Sequence, residues 1–380
     1  MPIEVAPDRA NSLWIMSKQQ DLFWIFGGAL ASLMVPVILL LFPFSILWLF
    51  WIWIIIFDNT HLWSTYSRTY FDKKFIKENK SIVWGSLLYF FIPVLFSFFY
   101  VWQSNKFYLD AFLFFAQSWA IYHVVRQHYG YLSLYDRKNK TPIQNHKIHK
   151  FVLFALIGGS YLHFLMMHPF NRKTAGFLPI EESLMALYFG VLLKISLITI
   201  FVFYVFWAIR KRNENSTQAT LFNFVCILLY SSIFLYFSYL EPFFTLAHKP
   251  IQFFMGIAIM ISLFHDLQYH GLVWFHNKNR YLSEAKGESK NKFGIATILN
   301  INFGAYCFFA LIFSVCYGVF LWLTGEYTWL NGQTYIVGFA PIAFGVWWGF
   351  LFHHYYLDQK IWRIKKSVEL QKSFSITENS

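Results

Sequence analysis

Residues 107–131 read FYLDAFLFFAQSWAIYHVVRQHYGY. The stretch is apolar and long enough to enter a lipid bilayer, yet it closes on His123, Arg126, Gln127 and His128. Polar and ionisable groups in a spanning segment are expensive and mark sites or pathways. One stretch therefore sets two expectations, a membrane-spanning helix and a functional site at its end.

The rest of the chain repeats the first expectation. Of 380 residues, 57% are hydrophobic and only 13% charged, about half the charge of an ordinary soluble domain. About ten segments approach the roughly 20 apolar residues that a spanning helix needs: 22–42, 45–66, 82–103, 107–130, 150–168, 183–209, 219–241, 250–275, 299–323 and 334–357. Pro43 disfavours helix at Phe42, so the first two form a tight hairpin across FPFS. The fold class expected is an all-α polytopic bundle, one integral membrane domain over 1–380. Residues 1–20 form a polar N-terminal segment without the apolar core of a cleavable leader, and the tail 367–380 is expected to be disordered.

Charge placement orients the bundle. With the N-terminus in the cytoplasm, twenty-five of the 31 Lys and Arg fall in cytoplasmic segments and four outside. That is the bias expected of cytoplasmic loops, and it places both termini in the cytoplasm. The net charge of +12 is then topological, and a nucleic-acid partner is not indicated. Cys226, Cys307 and Cys316 lie in apolar stretches and form no CxxC pair, so no disulfide framework is expected. Richness in Lys, Asn, Ile and Phe suits an AT-rich bacterial genome, and hence the cytoplasmic membrane.

Eight of the 13 histidines fall at one depth. His61 closes span 2, His123 and His128 span 4, His265, His270 and His276 span 8, and His353 and His354 span 10. Lys and Arg alone set the topology, so this coincidence is independent of it. YHVVRQHYG (122–130) and FHDLQYHG (264–271) also resemble each other, as a duplicated segment would. In both, the histidines stand five apart, about 140° around a helix. Either the helix widens locally, as π-bulges do, or each histidine faces a different neighbour. Asp58 and His61 share a helix face at i, i+3, and His354 and Asp358 at i, i+4. Carboxylate and imidazole together suit iron, manganese or zinc.

The candidate ligands are Asp58, His61, His123, His128, His265, His270, His353, His354 and Asp358. His353 and His354 point in different directions, so one of the two suffices. Asp266, Gln127, Gln268 and Arg126 are candidates to orient ligands from behind; Arg126 also suits a pair with Asp58 or Asp266, or a lipid headgroup. His146 and His149 read as solvated surface. GGALAS in span 1 and GGSY in span 5 read as small-residue packing patches.

This layout resembles the membrane-bound histidine-cluster iron enzymes, the fatty-acid desaturases, hydroxylases and alkane monooxygenases. Their boxes are HxxxH and HxxHH; here the spacing is HxxxxH twice and HH once, so no residue role is carried over. The resemblance implies two iron ions, oxidation of a lipid or other hydrophobic substrate, and an electron-donor protein. The alternative is a transporter or a proton or metal-ion relay built on the same residues, since intramembrane His and Asp also serve such pathways. Haem binding by paired histidines and an acyltransferase with a single catalytic histidine are further classes.

Overall fold

The computed structural model describes residues 13–42, 45–167, 184–236, 238, 250–282, 286–323, 340–364 and 367–376. Every element among them is helical and no strand occurs. The long helices are α1 (Lys18–Leu41), α2 (Ile46–Ser67), α3 (Lys80–Gln103), α4 (Lys106–Lys138), α5 (Ile143–Met167), α6 (Leu184–Arg210), α7 (Thr217–Leu235), α8 (Pro250–Tyr281), α9 (Phe303–Leu323) and α10 (Ala340–Ile361). Each expected span overlaps one of them; residues 168, 183, 237, 239–241 and 334–339 of the expected spans lie outside the described residues. Six, namely α1, α2, α3, α5, α6 and α7, are long and apolar enough to cross a membrane over the described residues. This marks the chain as an integral membrane protein. Of the others, α4, α8 and α10 carry much of the site's polar character.

Local sequence explains the helix ends. Ser17 caps α1 by accepting from the Gln20 amide at 3.2 Å, and Asn105 and Ser216 cap α4 and α7 in the same way, as these residue types do. Helix α1 ends at Leu41, and Phe42 before Pro43 leaves the helical region. Residues 1–12 lie outside the described residues, and residues 13–20 of the N-terminal segment are tied down by buried Asp21. Its carboxylate accepts from the Ile15 and Met16 amides at 2.8 and 3.0 Å and from Tyr135 Oη at 2.8 Å. Two helices widen to π geometry, α1 at Asp21–Phe26 and α2 at Ile54–Asp58, the latter immediately before His61.

The tail departs from the expected disorder over residues 368–376. Ser367 caps a short helix, Val368–Ser373, and Leu370 and Phe374 are buried. Phe374 stacks on Phe275, Ser373 meets His276 Nδ1 at 3.0 Å, and Glu369 pairs with Arg280. Apolar residues in a polar tail were the available sign. Residues 377–380 lie outside the described residues.

Large apolar side chains cover the outer faces. On α3, Trp84, Leu88, Phe91, Leu95, Phe98 and Trp102 are exposed in one stripe at three- and four-residue spacing, a lipid-facing surface. The opposite side of α3 packs on α10 through small residues. A Cβ at Gly345 would meet Ser97 Oγ at 2.6 Å and the Pro93 carbonyl at 2.9 Å; one at Gly349 would meet the Phe90 carbonyl at 2.7 Å. Gly345-Val-Trp-Trp-Gly349 is thus a close-approach motif of the kind that joins membrane helices. Gly28 of GGALAS sits likewise against the Phe264 backbone, and Gly159 of GGSY against Leu197.

Because α10 also carries His354 and Asp358, its seat on α3 sets the site. Gly349→Leu is expected to cost about 1–3 kcal/mol by overpacking and to lower the thermal unfolding midpoint in detergent. Gly130→Ala, where a Cβ meets nothing within 4 Å, should leave the midpoint unchanged or slightly raised.

Candidate metal centre

Four imidazoles from four helices meet at one end of the bundle: His61 of α2, His123 of α4, His265 of α8 and His354 of α10. All are buried. Their ring centroids form a closed circuit of 4.6 Å (61–354), 5.1 Å (354–123), 5.0 Å (123–265) and 5.2 Å (265–61), each pair edge-on. An imidazole bonded to a metal at 2.0–2.1 Å places its ring centre about 3.2 Å from the ion, so neighbouring rings stand about 4.5 Å apart at right angles and about 5.2 Å at tetrahedral angles. The donor atoms of these rings fall in two overlapping groups, His61 with His265 and His354, and His123 with His354 and Asp358, within each of which they lie within 4.8 Å of one another.

The tautomers support this. His61 Nδ1 lies 2.5 Å from the Asp58 carbonyl, which only accepts, so Nδ1 carries the proton and Nε2 the lone pair. Thr65 donates its hydroxyl to Asp358 Oδ1 at 2.8 Å and therefore accepts from His354 Nδ1 at 2.8 Å. His354 Nε2 then also carries a lone pair. The two Nε2 atoms face each other at 3.1 Å, with no proton to share. Two ligands of one ion stand roughly 2.9–3.4 Å apart at metal–nitrogen distances of 2.0–2.1 Å.

Asp358 closes the centre. Its Oδ1 is taken by Thr65 and Tyr269, at 2.8 and 2.6 Å, while Oδ2 turns to His354 Nε2 at 3.5 Å and His123 Nε2 at 3.9 Å. On the other flank, Asp266 Oδ1 stands 3.2 Å from His61 Nδ1 and its Oδ2 accepts from Trp53 Nε1 at 3.2 Å. Asp58, His61 and Asp266 thus form a group of their own beside the four rings. His123 Nε2, His265 Nδ1 and Asp266 Oδ1 are buried without a hydrogen-bond partner. Each such atom costs about 1–3 kcal/mol, and a cation bound here would relieve atoms of this kind.

The remaining candidates stand elsewhere. The five-residue spacing is resolved by divergence. In regular helix, His123 and His265 face the centre, while His128 and His270 face other neighbours. His128 bonds the Val124 carbonyl at 2.7 Å and lies among Phe222, Tyr230 and Phe264. Both nitrogens of His270 are engaged, Nε2 with Thr60 at 2.9 Å and Nδ1 with Tyr306 at 2.8 Å. His353 bonds Tyr70 at 2.7 Å, away from the centre. Gln127 donates to the His265 carbonyl at 2.9 Å and so positions a site helix; Gln268 reaches the Ile25 carbonyl at 3.1 Å and joins α8 to α1. Arg126 lies over the Tyr129 ring, and among the described residues it forms no ion pair with Asp58 or Asp266.

Sequence reasoning missed Thr65 and Tyr269. The available signal was THLWSTYS (60–67), a helical stretch inside an apolar span with hydroxyls on every face. The solvated reading of His146 and His149 also needs correction. His149 is buried, and both rings bond Asp136, at 2.8 and 3.1 Å. Burial pushes the Asp136 carboxyl up, but its bonds and charges with the two imidazoles outweigh this and hold it below its ordinary value.

A cavity of ≈ 290 Å³ opens from three of the rings, those of His61, His123 and His265. Asp58, His61, His123, His265 and Asp266 form one end; the walls beyond are mainly aliphatic and aromatic, with Gln117 and Ser262 among them. No family model, curated protein or solved structure matches the chain, so the site is read from its own geometry.

Alanine at His61, His123, His265 or His354 is expected to lower bound metal at least tenfold in dialysed protein assayed by mass spectrometry. Alanine at His128, His270 or His353 should leave metal content unchanged. Asp266→Asn, which removes a buried charge 3.2 Å from His61 Nδ1, should weaken metal affinity in the same assay. Equal losses in both sets of histidines would contradict the assignment.

Proposed function

We propose that the chain is a membrane metalloenzyme that oxidises a hydrophobic substrate, with iron held by His61, His123, His265 and His354 and flanked by Asp358. One observation carries the reading: a convergent set of imidazoles forms the polar end of an otherwise apolar cavity. Histidine-bound iron with an open position supplies dioxygen activation. The protein's residues hold the ion, present an apolar chain to it and exclude bulk water.

Iron is preferred for the chemistry; imidazole donors alone also suit zinc, copper and nickel. The ion surrounded by four rings is the reactive one. A second iron, as the family resemblance implies, would rest on Asp58 and Asp266, because the Nδ1 proton of His61 is committed to a carbonyl. A transporter is less well supported, because beyond Gln117 and Ser262 the described cavity walls are aliphatic and aromatic. Haem fits poorly, since rings 4.6–5.2 Å apart leave no space for a porphyrin between them.

In this reading all ten long helices span the cytoplasmic membrane of a bacterium, with both termini and the metal centre toward the cytoplasm. An electron-donor protein acts from that side, and substrate arrives from the lipid phase.

Iron analysis with an optical spectrum on one detergent-purified sample tests the proposal. Bound iron without a Soret band, together with oxygen uptake that depends on a hydrophobic substrate, is expected. Protein that stays metal-free after anaerobic reconstitution would overturn it. For the topology, a C-terminal green-fluorescent fusion should fluoresce and an alkaline-phosphatase fusion should be inactive; the reverse would contradict it.

A further inference from the structure

The cavity's shape goes beyond a general preference for apolar substrate. On each of the four site helices its lining extends ten or eleven residues from the centre: His61 to Phe50 on α2, His123 to Leu113 on α4, His265 to Met255 on α8, and Tyr355 to Phe344 on α10. At helical rise this is about 15–17 Å along every axis. The space therefore runs parallel to the helices, and ≈ 290 Å³ spread over that length has room for one chain abreast.

The end at the metal centre is closed. Behind the imidazoles, buried Thr65 and Tyr269 both donate to Asp358 Oδ1, at 2.8 and 2.6 Å, so a chain cannot thread past the ion. The same end carries buried carboxylates, Asp58 and Asp266. An anionic head group there would lose its hydration and face these like charges, at high cost.

We propose that the cavity binds a single linear hydrocarbon chain end-on, methyl end first, and that the carbon presented to the metal lies at or next to the chain terminus. This rests on the oxidative reading above for its chemistry but not for its binding. The polar head stays at the far end, beyond Leu113 and Met255. Oxidation in the middle of a long chain would need room for an arm on each side of the ion, and the closed end gives only one.

Photolabelling of purified full-length protein with palmitic acid tests this, with a diazirine placed either at the terminal carbon or beside the carboxyl group. The terminal probe should label peptides holding Ile121, Val124 and Ile261 at least tenfold more than the carboxyl-proximal probe. Ala120→Trp, which fills the cavity near the ion, should remove that labelling. Equal labelling of the near end by both probes, the reverse preference, or labelling confined to lipid-facing residues such as Trp84 and Leu88 would overturn the proposal. If Ala120→Trp does not fold, the comparison of the two probes on the unaltered protein still decides. Labelling requires neither metal nor turnover, so an unchanged pattern in His265→Ala protein would keep the binding mode even if the oxidative reading failed.

Discussion

Two imidazole lone pairs facing each other at 3.1 Å are the constraint around which the polar end of the bundle is built. Each is fixed from behind, His61 by the Asp58 carbonyl and His354 by Thr65. Neither ring can turn without breaking a buried bond. Left to themselves the lone pairs repel; a cation between them converts the repulsion into coordination. His265 stands with these two rings, and His123 and Asp358 stand with His354.

Assembling this shell requires helices far apart in sequence to hold a fixed depth and rotation. The packing provides both. Helix α10 is seated on α3 by the glycines at 345 and 349, and α8 on α1 by Gly28. Gln127 ties α4 to the carbonyl of His265 itself. Beside the centre, His270 with Thr60, Ser64 and Tyr306 forms a saturated polar network. Interhelical bonds of this kind are individually modest in membranes, about 0.6 kcal/mol on average, but together they fix orientation. The cavity benefits from the same rigidity, because its walls are the inner faces of these helices.

Much of this was legible in the sequence. Apolar length gave the helical membrane architecture, and the common depth of the histidines pointed to one site. His61, His123, His265 and His354 meet, and Asp58 and Asp358 sit beside them, as carboxylate–imidazole spacing suggested. Which histidine of each pair would face inward was not legible. His123 and His128, like His265 and His270, are equivalent in composition, and only the rotation of α4 and α8 against their neighbours separates them. The burial of His149 was hidden for a related reason, since its partner Asp136 belongs to the preceding helix. The folded tail was missed because Leu370 and Phe374 are too few to signal a docked helix on their own.

The account joins an imidazole-rich metal centre to an apolar cavity closed behind it, an arrangement suited to oxidising the end of a hydrocarbon chain away from water. Its central claim is that four imidazoles converge on one ion. X-ray absorption at the metal edge of the purified protein counts those ligands directly. The account predicts a nitrogen- and oxygen-only shell whose outer scattering requires about four imidazoles per reactive ion. A shell fitted with one imidazole or none, or one containing sulfur, would contradict it.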